Sequence, residues 1–178
     1  LLCGHDVSSS SPSTYVFSNR GDGTFSPVYA GILGVAYGTA RWGDFNSDGL
    51  PDIFISGSFS GLVARIYRNN GDSTFTHVSI PLLEGLFHSD ASVFDYNNDG
   101  LTDILLAGHY GPKVVLYKNT GDFSFETETI TMTPAGYSSI AVGDFNTDGK
   151  PDVVVSGEIS AGGARKTRLY SNGFGEAN

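Results

Sequence analysis

Short apolar runs bounded by Gly and Asp recur along this chain, and no stretch shows a helical period. The runs Asp52-Ile53-Phe54-Ile55, Asp103-Ile104-Leu105-Leu106 and Asp152-Val153-Val154-Val155 are too short for helices. Two of them are rich in β-branched residues, and all three predict strands buried on both faces. Residues 64–68 and 113–117 predict the strand that follows. An Asn-x-Gly-Asp turn then leads into Phe75 or Phe125, the chemistry of a tight hairpin. A strand before each apolar run, at 39–43, 91–94 and 140–143, completes four per unit.

The unit repeats. GDFNSDGLPDIFISG from Gly43, FDYNNDGLTDILLAG from Phe94 and GDFNTDGKPDVVVSG from Gly143 align without gaps, their first aspartates 51 and 49 residues apart. A tyrosine element follows each, at Tyr67, Tyr117 and Tyr170, with a related copy from Tyr15. Four strands in 40 to 50 residues is the signature of a propeller blade; a stacked β-solenoid is the alternative. Leu1 to Gly4 matches Phe54 to Gly57, so the first blade, 1–35, is expected to lack its first strand and acidic loop. Blades follow at 36–87 and 88–136, with a partial one at 137–178. Repeat units cannot bury their end faces alone, so more repeats or self-association through the incomplete end blades is expected.

Each apolar run is preceded by Asp-x-Asn-x-Asp-Gly-x-x-Asp. The residues are Asp44, Asn46, Asp48 and Asp52; Asp95, Asn97, Asp99 and Asp103; and Asp144, Asn146, Asp148 and Asp152. Alternate positions 1, 3 and 5 place three oxygen side chains on one side of a turn, and Gly at position 6 permits the bend. Position 7 (Leu50, Leu101, Lys150) offers a main-chain carbonyl, so its side chain is free to vary. Position 9 adds a carboxylate from the next strand. Such a set matches the six to eight hard oxygens that Ca²⁺ takes, without the His or Cys of a zinc or copper site. Three Ca²⁺ sites are expected, at 44–52, 95–103 and 144–152. An EF-hand is excluded, because position 12 is Ile55, Leu106 or Val155 rather than Glu.

Charge sharpens the picture. The chain carries 19 acids and 10 Lys+Arg, a net of −9. Nine of the acids are the loop aspartates, so the other ten balance the ten cations. An acidic balance argues against nucleic-acid partners. No apolar run reaches the roughly 20 residues of a membrane helix. Cys3 is the only cysteine and is expected to be a small, buried, inert thiol. Arg20-Gly21-Asp22 reads as a turn, because Gly-Asp recurs at Gly71-Asp72 and Gly121-Asp122. The four histidines look scattered, Trp42 reads as packing, and no catalytic signature is present, so a non-enzymatic protein is expected.

These residues resemble the FG-GAP repeats of integrin α subunits and the related VCBS-type repeats of secreted proteins. The resemblance implies a propeller, commonly seven-bladed, with structural Ca²⁺ between first and second strands. It implies partner binding on the opposite face, here at 58–62, 81–89, 109–112, 133–138 and 158–164. Phe59, Phe87, His88, His109, Tyr110 and Tyr137 are the larger side chains there. The repeats are shorter and more regular than those of integrins, which leans towards the VCBS type. The expected protein is an extracellular adhesion or recognition module with a protein ligand. A carbohydrate-binding lectin and the accessory propeller of a secreted enzyme are the alternatives.

Overall fold

The computed structural model describes residues 1–6, 11–109, 113–133, 136–158, 163–171 and 175–176. Expectations that fall on Tyr110, Pro112, 134–135, 159–162 and 172–174 lie outside them. The described residues form strands only, grouped in four antiparallel sheets. The first holds β1 (Leu2–Asp6), β2 (Ser11–Asn19) and β3 (Phe25–Val28). The second holds β4 (Ala36–Gly43), β5 (Asp52–Ser58), β6 (Leu62–Asn69) and β7 (Phe75–Val78). The third holds β8 (Phe87–Phe94), β9 (Asp103–His109), β10 (Lys113–Gly121) and β11 (Ser124–Glu128). The fourth holds β12 (Gly136–Gly143), β13 (Asp152–Glu158), β14 (Arg165–Ser171) and β15 (Gly175–Glu176). Each sheet is a meander, and the opening strands β4, β8 and β12 pack side by side. That arrangement is the one propeller blades adopt, as the apolar runs and hairpin turns foretold. No helix long and apolar enough to cross a membrane occurs among the described residues.

Two of the three apolar runs behave as expected of strands covered on both faces; in the third, Val154 of β13 is 36% exposed. Asp52–Gly57 and Asp103–Gly108 are buried throughout. Ile53, Ile55 and Tyr67 pack with Val16 and Val35 between the first two sheets. Phe54 and Ile66 pack with Leu86, Ile104, Leu106 and Tyr117 between the second and third. Leu105 and Leu116 pack with Ile140, Val153, Val155 and Tyr170 between the third and fourth. Burying each such side chain is worth about 1.5–3 kcal/mol. The stacking of neighbours is therefore what makes each sheet stable.

Repeated polar links fasten neighbouring sheets. The hydroxyls of Tyr67, Tyr117 and Tyr170 accept the amides of Leu33, Glu84 and Thr133, at 3.1, 3.1 and 3.0 Å. Each of those amides lies on the segment that enters the tyrosine's own sheet from the one before. This explains the recurrence of the tyrosine better than packing alone. A single carboxylate, Asp90 of β8, ties three sheets together. It pairs with Arg41 of β4 and accepts the Ile140 amide of β12 at 2.8 Å.

The turn at Arg20-Gly21-Asp22 is shared with other units. Asn19 Oδ1 accepts the Gly21 amide and Asp22 Oδ1 accepts the Thr24 amide, both at 2.9 Å. Asn69, Gly71, Asp72 and Thr74 repeat both bonds.

Candidate functional site

The acidic loops all lie at one end of the sheets, joining β4 to β5, β8 to β9 and β12 to β13. Their hydrogen bonds are nearly superimposable. Position 1 accepts the amides of positions 5 and 6: Asp44 from Asp48 and Gly49 at 3.2 and 2.9 Å. Asp95 does the same with Asp99 and Gly100 at 3.1 and 2.7 Å. Asp144 repeats it with Asp148 and Gly149 at 3.1 and 2.9 Å. The position-3 amide oxygen (Asn46, Asn97, Asn146) accepts the same position-5 amide, so positions 1 and 3 converge on one side of the turn. The Nδ2 of that Asn donates to the position-5 carboxylate, whose other oxygen accepts the amide of Leu50, Leu101 or Lys150. Glycine at position 6 takes φ +82, +86 and +81, the left-handed region that an L side chain resists.

Position 9 differs from the rest. Asp52 and Asp103 are fully buried and Asp152 is 1% exposed. Asp52 accepts the Phe45 amide through Oδ2 at 3.1 Å and the Asn69 amide through Oδ1 at 2.8 Å. Asp103 accepts Tyr96 and Asn119 in the same way at 2.9 and 2.7 Å. Asp152 accepts Phe145 at 3.0 Å. This carboxylate therefore splices the loop to the sheet, a role that the metal-ligand pattern did not announce.

Burial pushes the Asp52 and Asp103 carboxyls above the usual range, Asp103 to about 6. The main-chain donors oppose that rise, while Asp44 and Asp48, or Asp95 and Asp99, add to it. The exposed Asp48 and Asp99 are held below the usual range, first by the Asn46 or Asn97 side chain and then by the Leu50 or Leu101 amide.

The donor set of each loop is three carboxylates, one side-chain amide oxygen and a main-chain carbonyl. By type these are hard ligands, suited to Ca²⁺. Among the described residues, however, no three His, Cys, Asp or Glu side chains converge closely enough to hold a metal ion on their own. Main-chain amides take up the carboxylates instead. Leu50 is exposed and Leu101 half-buried, and the main-chain amide of each is engaged by the position-5 carboxylate.

At the opposite end of the sheets, two of the four histidines that look scattered in sequence, His88 and His109, come together around one tyrosine. His88 stacks on Tyr137 with ring centres 4.3 Å apart, and His109 meets the same ring at 5.3 Å. Tyr37 packs on Phe87 and His88 at 4.7 and 5.1 Å. Tyr37, His88 and Tyr137 occupy one register position, the bulge near the start of β4, β8 and β12, with φ +51, +47 and +51. Positive φ three times over at bulky residues is a local strain of the kind that collects at functional surfaces. Only the shared offset from each acidic loop hints at this row in the sequence. Beside it, a cleft of about 490 Å³ opens between the second and third sheets, bordered by Leu62, Arg65, Leu83 and the Glu84–Lys113 ion pair. Trp42 sits at the loop end, 40% exposed, its ring centre 6.2 Å from that of Phe75.

No curated protein matches this chain. A family model does, that of the FG-GAP-like repeat, over residues 2–55, 44–105 and 95–155. Its unit runs from the second strand of one sheet to the second strand of the next, so successive matches overlap on the acidic loops. Loop chemistry, strand order and these matches lead to one conclusion: the chain belongs to the FG-GAP-like repeat family.

Proposed function

We propose that this chain is a calcium-binding recognition module that works outside the cell. FG-GAP-like repeats are typical of extracellular domains. The observation that carries the metal proposal is the buried position-9 carboxylate. In the first two loops, burial and two further aspartates hold it above the ordinary range. A hard divalent cation would relieve that crowding. The ligands are the side chains at positions 1, 3, 5 and 9, with the main-chain carbonyls of Leu50, Leu101 and Lys150. Calcium supplies rigidity: it holds the first and second strands of a sheet in register. Three ions would bring the formal charge from −9 to about −3.

The partner docks at the other end, where the side chains differ from sheet to sheet. A protein is the first choice. A glycan is the second, favoured by Tyr37 and Tyr137, each more than half exposed and offering apolar ring surface with a polar tip.

Extracellular modules commonly bind Ca²⁺ with a Kd of about 10⁻⁴ to 10⁻³ M. At ten times Kd each site adds about 1.4 kcal/mol of stability. Calorimetry on chelator-stripped protein is expected to show about three Ca²⁺ per chain, with Asp48→Ala removing one. Absence of binding heat, together with a Tm that millimolar Ca²⁺ leaves unchanged, overturns the metal proposal. A glycan array separates the two classes of partner.

A further inference from the structure

The three acidic loops are joined by two asparagine side chains that lie outside the expected ligand set. Asn98, at position 4 of the second loop, donates from Nδ2 to the Gly149 carbonyl of the third loop at 3.1 Å. Gly149 is the position-6 hinge of its own loop. The second and first loops are joined differently. Asn119 Nδ2 donates to the Phe45 carbonyl, position 2 of the first loop, at 2.9 Å, and to the Thr102 carbonyl of the second at 3.0 Å. The Asn119 amide binds Asp103 at the same time. One link is buried and the other exposed, and together they join all three loops in a row.

The link through Asn98 belongs to this residue and not to the repeat. Positions 4 of the three loops, Ser47, Asn98 and Thr147, share a left-handed backbone with φ 59, 60 and 59. Asn tolerates that conformation best and also carries an amide long enough to cross the gap. Among the described residues, Ser47 makes no equivalent bond to the second loop.

We infer that the calcium loops form a nearest-neighbour coupled row, in which closing the second loop around its ion helps to organise the third through Asn98. The inference rests on the calcium reading above. Its basis is conformational entropy. Asn98 sits between Asn97 and Asp99, both expected ligands, so ion binding holds its main chain. Its side chain then restrains Gly149, the residue about which the third loop must bend. A loop already restrained loses less freedom on binding, and the effect is reciprocal. An exposed hydrogen bond supports a coupling of about two- to tenfold in affinity.

The test is a CaCl2 titration followed by the amide resonances of Gly49, Gly100 and Gly149. Each of these amides is bonded to the position-1 carboxylate of its own loop and reports on that loop alone. Asp148→Ala disables the third loop. It is expected to weaken Ca²⁺ binding at Gly100 about two- to tenfold in the natural background, and not at all in an Asn98→Gly background. Asn98→Gly keeps the left-handed backbone, so the loop itself still closes. In metal-free protein, the Lys150 amide is expected to exchange faster in Asn98→Gly than in the natural chain. An equal effect of Asp148→Ala in both backgrounds, or titration curves for Asn98→Gly that overlay the natural ones, overturns the coupling. Three Ca²⁺ bound independently sinks the coupling alone, whereas no Ca²⁺ uptake at any loop sinks the calcium reading with it.

Discussion

The two ends of the sheets follow different rules. At the loop end, three turns repeat the same hydrogen bonds to within a few tenths of an ångström, and the side chains at positions 1, 3, 5 and 9 do not vary. At the opposite end, the same register position holds Tyr37, His88 or Tyr137, and the cleft between the second and third sheets carries Arg65, Glu84 and Lys113. A position that repeats its chemistry serves the scaffold, because every unit needs the same bend and the same splice. A position that keeps its backbone and changes its side chain is free to serve recognition. The far end also holds its aromatic row at positive φ.

The contrast is most easily broken within a single loop. Asp103→Ala strands the amides of Tyr96 and Asn119, and each buried unsatisfied donor costs about 1–3 kcal/mol. A loss of about 2–5 kcal/mol that Ca²⁺ does not restore is expected in urea unfolding. Asp48→Ala, at an exposed carboxylate, is expected to change metal-free stability by less than about 0.5 kcal/mol while removing one Ca²⁺. Equal effects would erase the distinction between a carboxylate that also splices the loop to the sheet and one that only ligates.

Glycines at the two ends give the next largest difference. A Cβ at Gly38, on the bulge of β4, would stand 1.9 Å from the Ser56 carbonyl oxygen. Gly38→Ala is expected to cost about 3 kcal/mol or more through forced backbone movement. Gly49 has open space around it but φ +82, so Gly49→Ala is expected to cost about 1 kcal/mol, by strain alone. Thermal denaturation of the two variants side by side checks the order.

Tyr117→Phe keeps the packing but leaves the Glu84 amide without its acceptor. About 1 kcal/mol is expected, seen mainly as faster amide exchange in the segment leading into β8.

A further effect is with pH. The Asp103 carboxyl in the folded, metal-free chain stands near 6, above its unfolded value. The folded state therefore binds the proton more tightly, and stability falls as pH rises from about 4 through 6. Saturating Ca²⁺ is expected to reverse that slope, because the ion competes with the proton. A slope in metal-free protein that rises with pH would show that the main-chain donors outweigh burial.

Much of this was legible in the chain itself. Short apolar runs, hairpin turns and a constant spacing settled the strand order. Oxygen side chains at alternate positions around an invariant Gly settled the shape of each loop, since both are local matters of steric bulk and turn geometry. What the order of residues could not reveal was which groups meet across units. The bridging of Asp90 between Arg41 and Ile140, the meeting of His88, His109 and Tyr137, and the reach of Asn98 to Gly149 join residues about fifty positions apart, or, for His109 and Tyr137, 28. Only the packing of one sheet on the next brings them together. The burial of Asp52 and Asp103, which makes an expected ligand a structural splice as well, likewise depends on neighbours that no local pattern names.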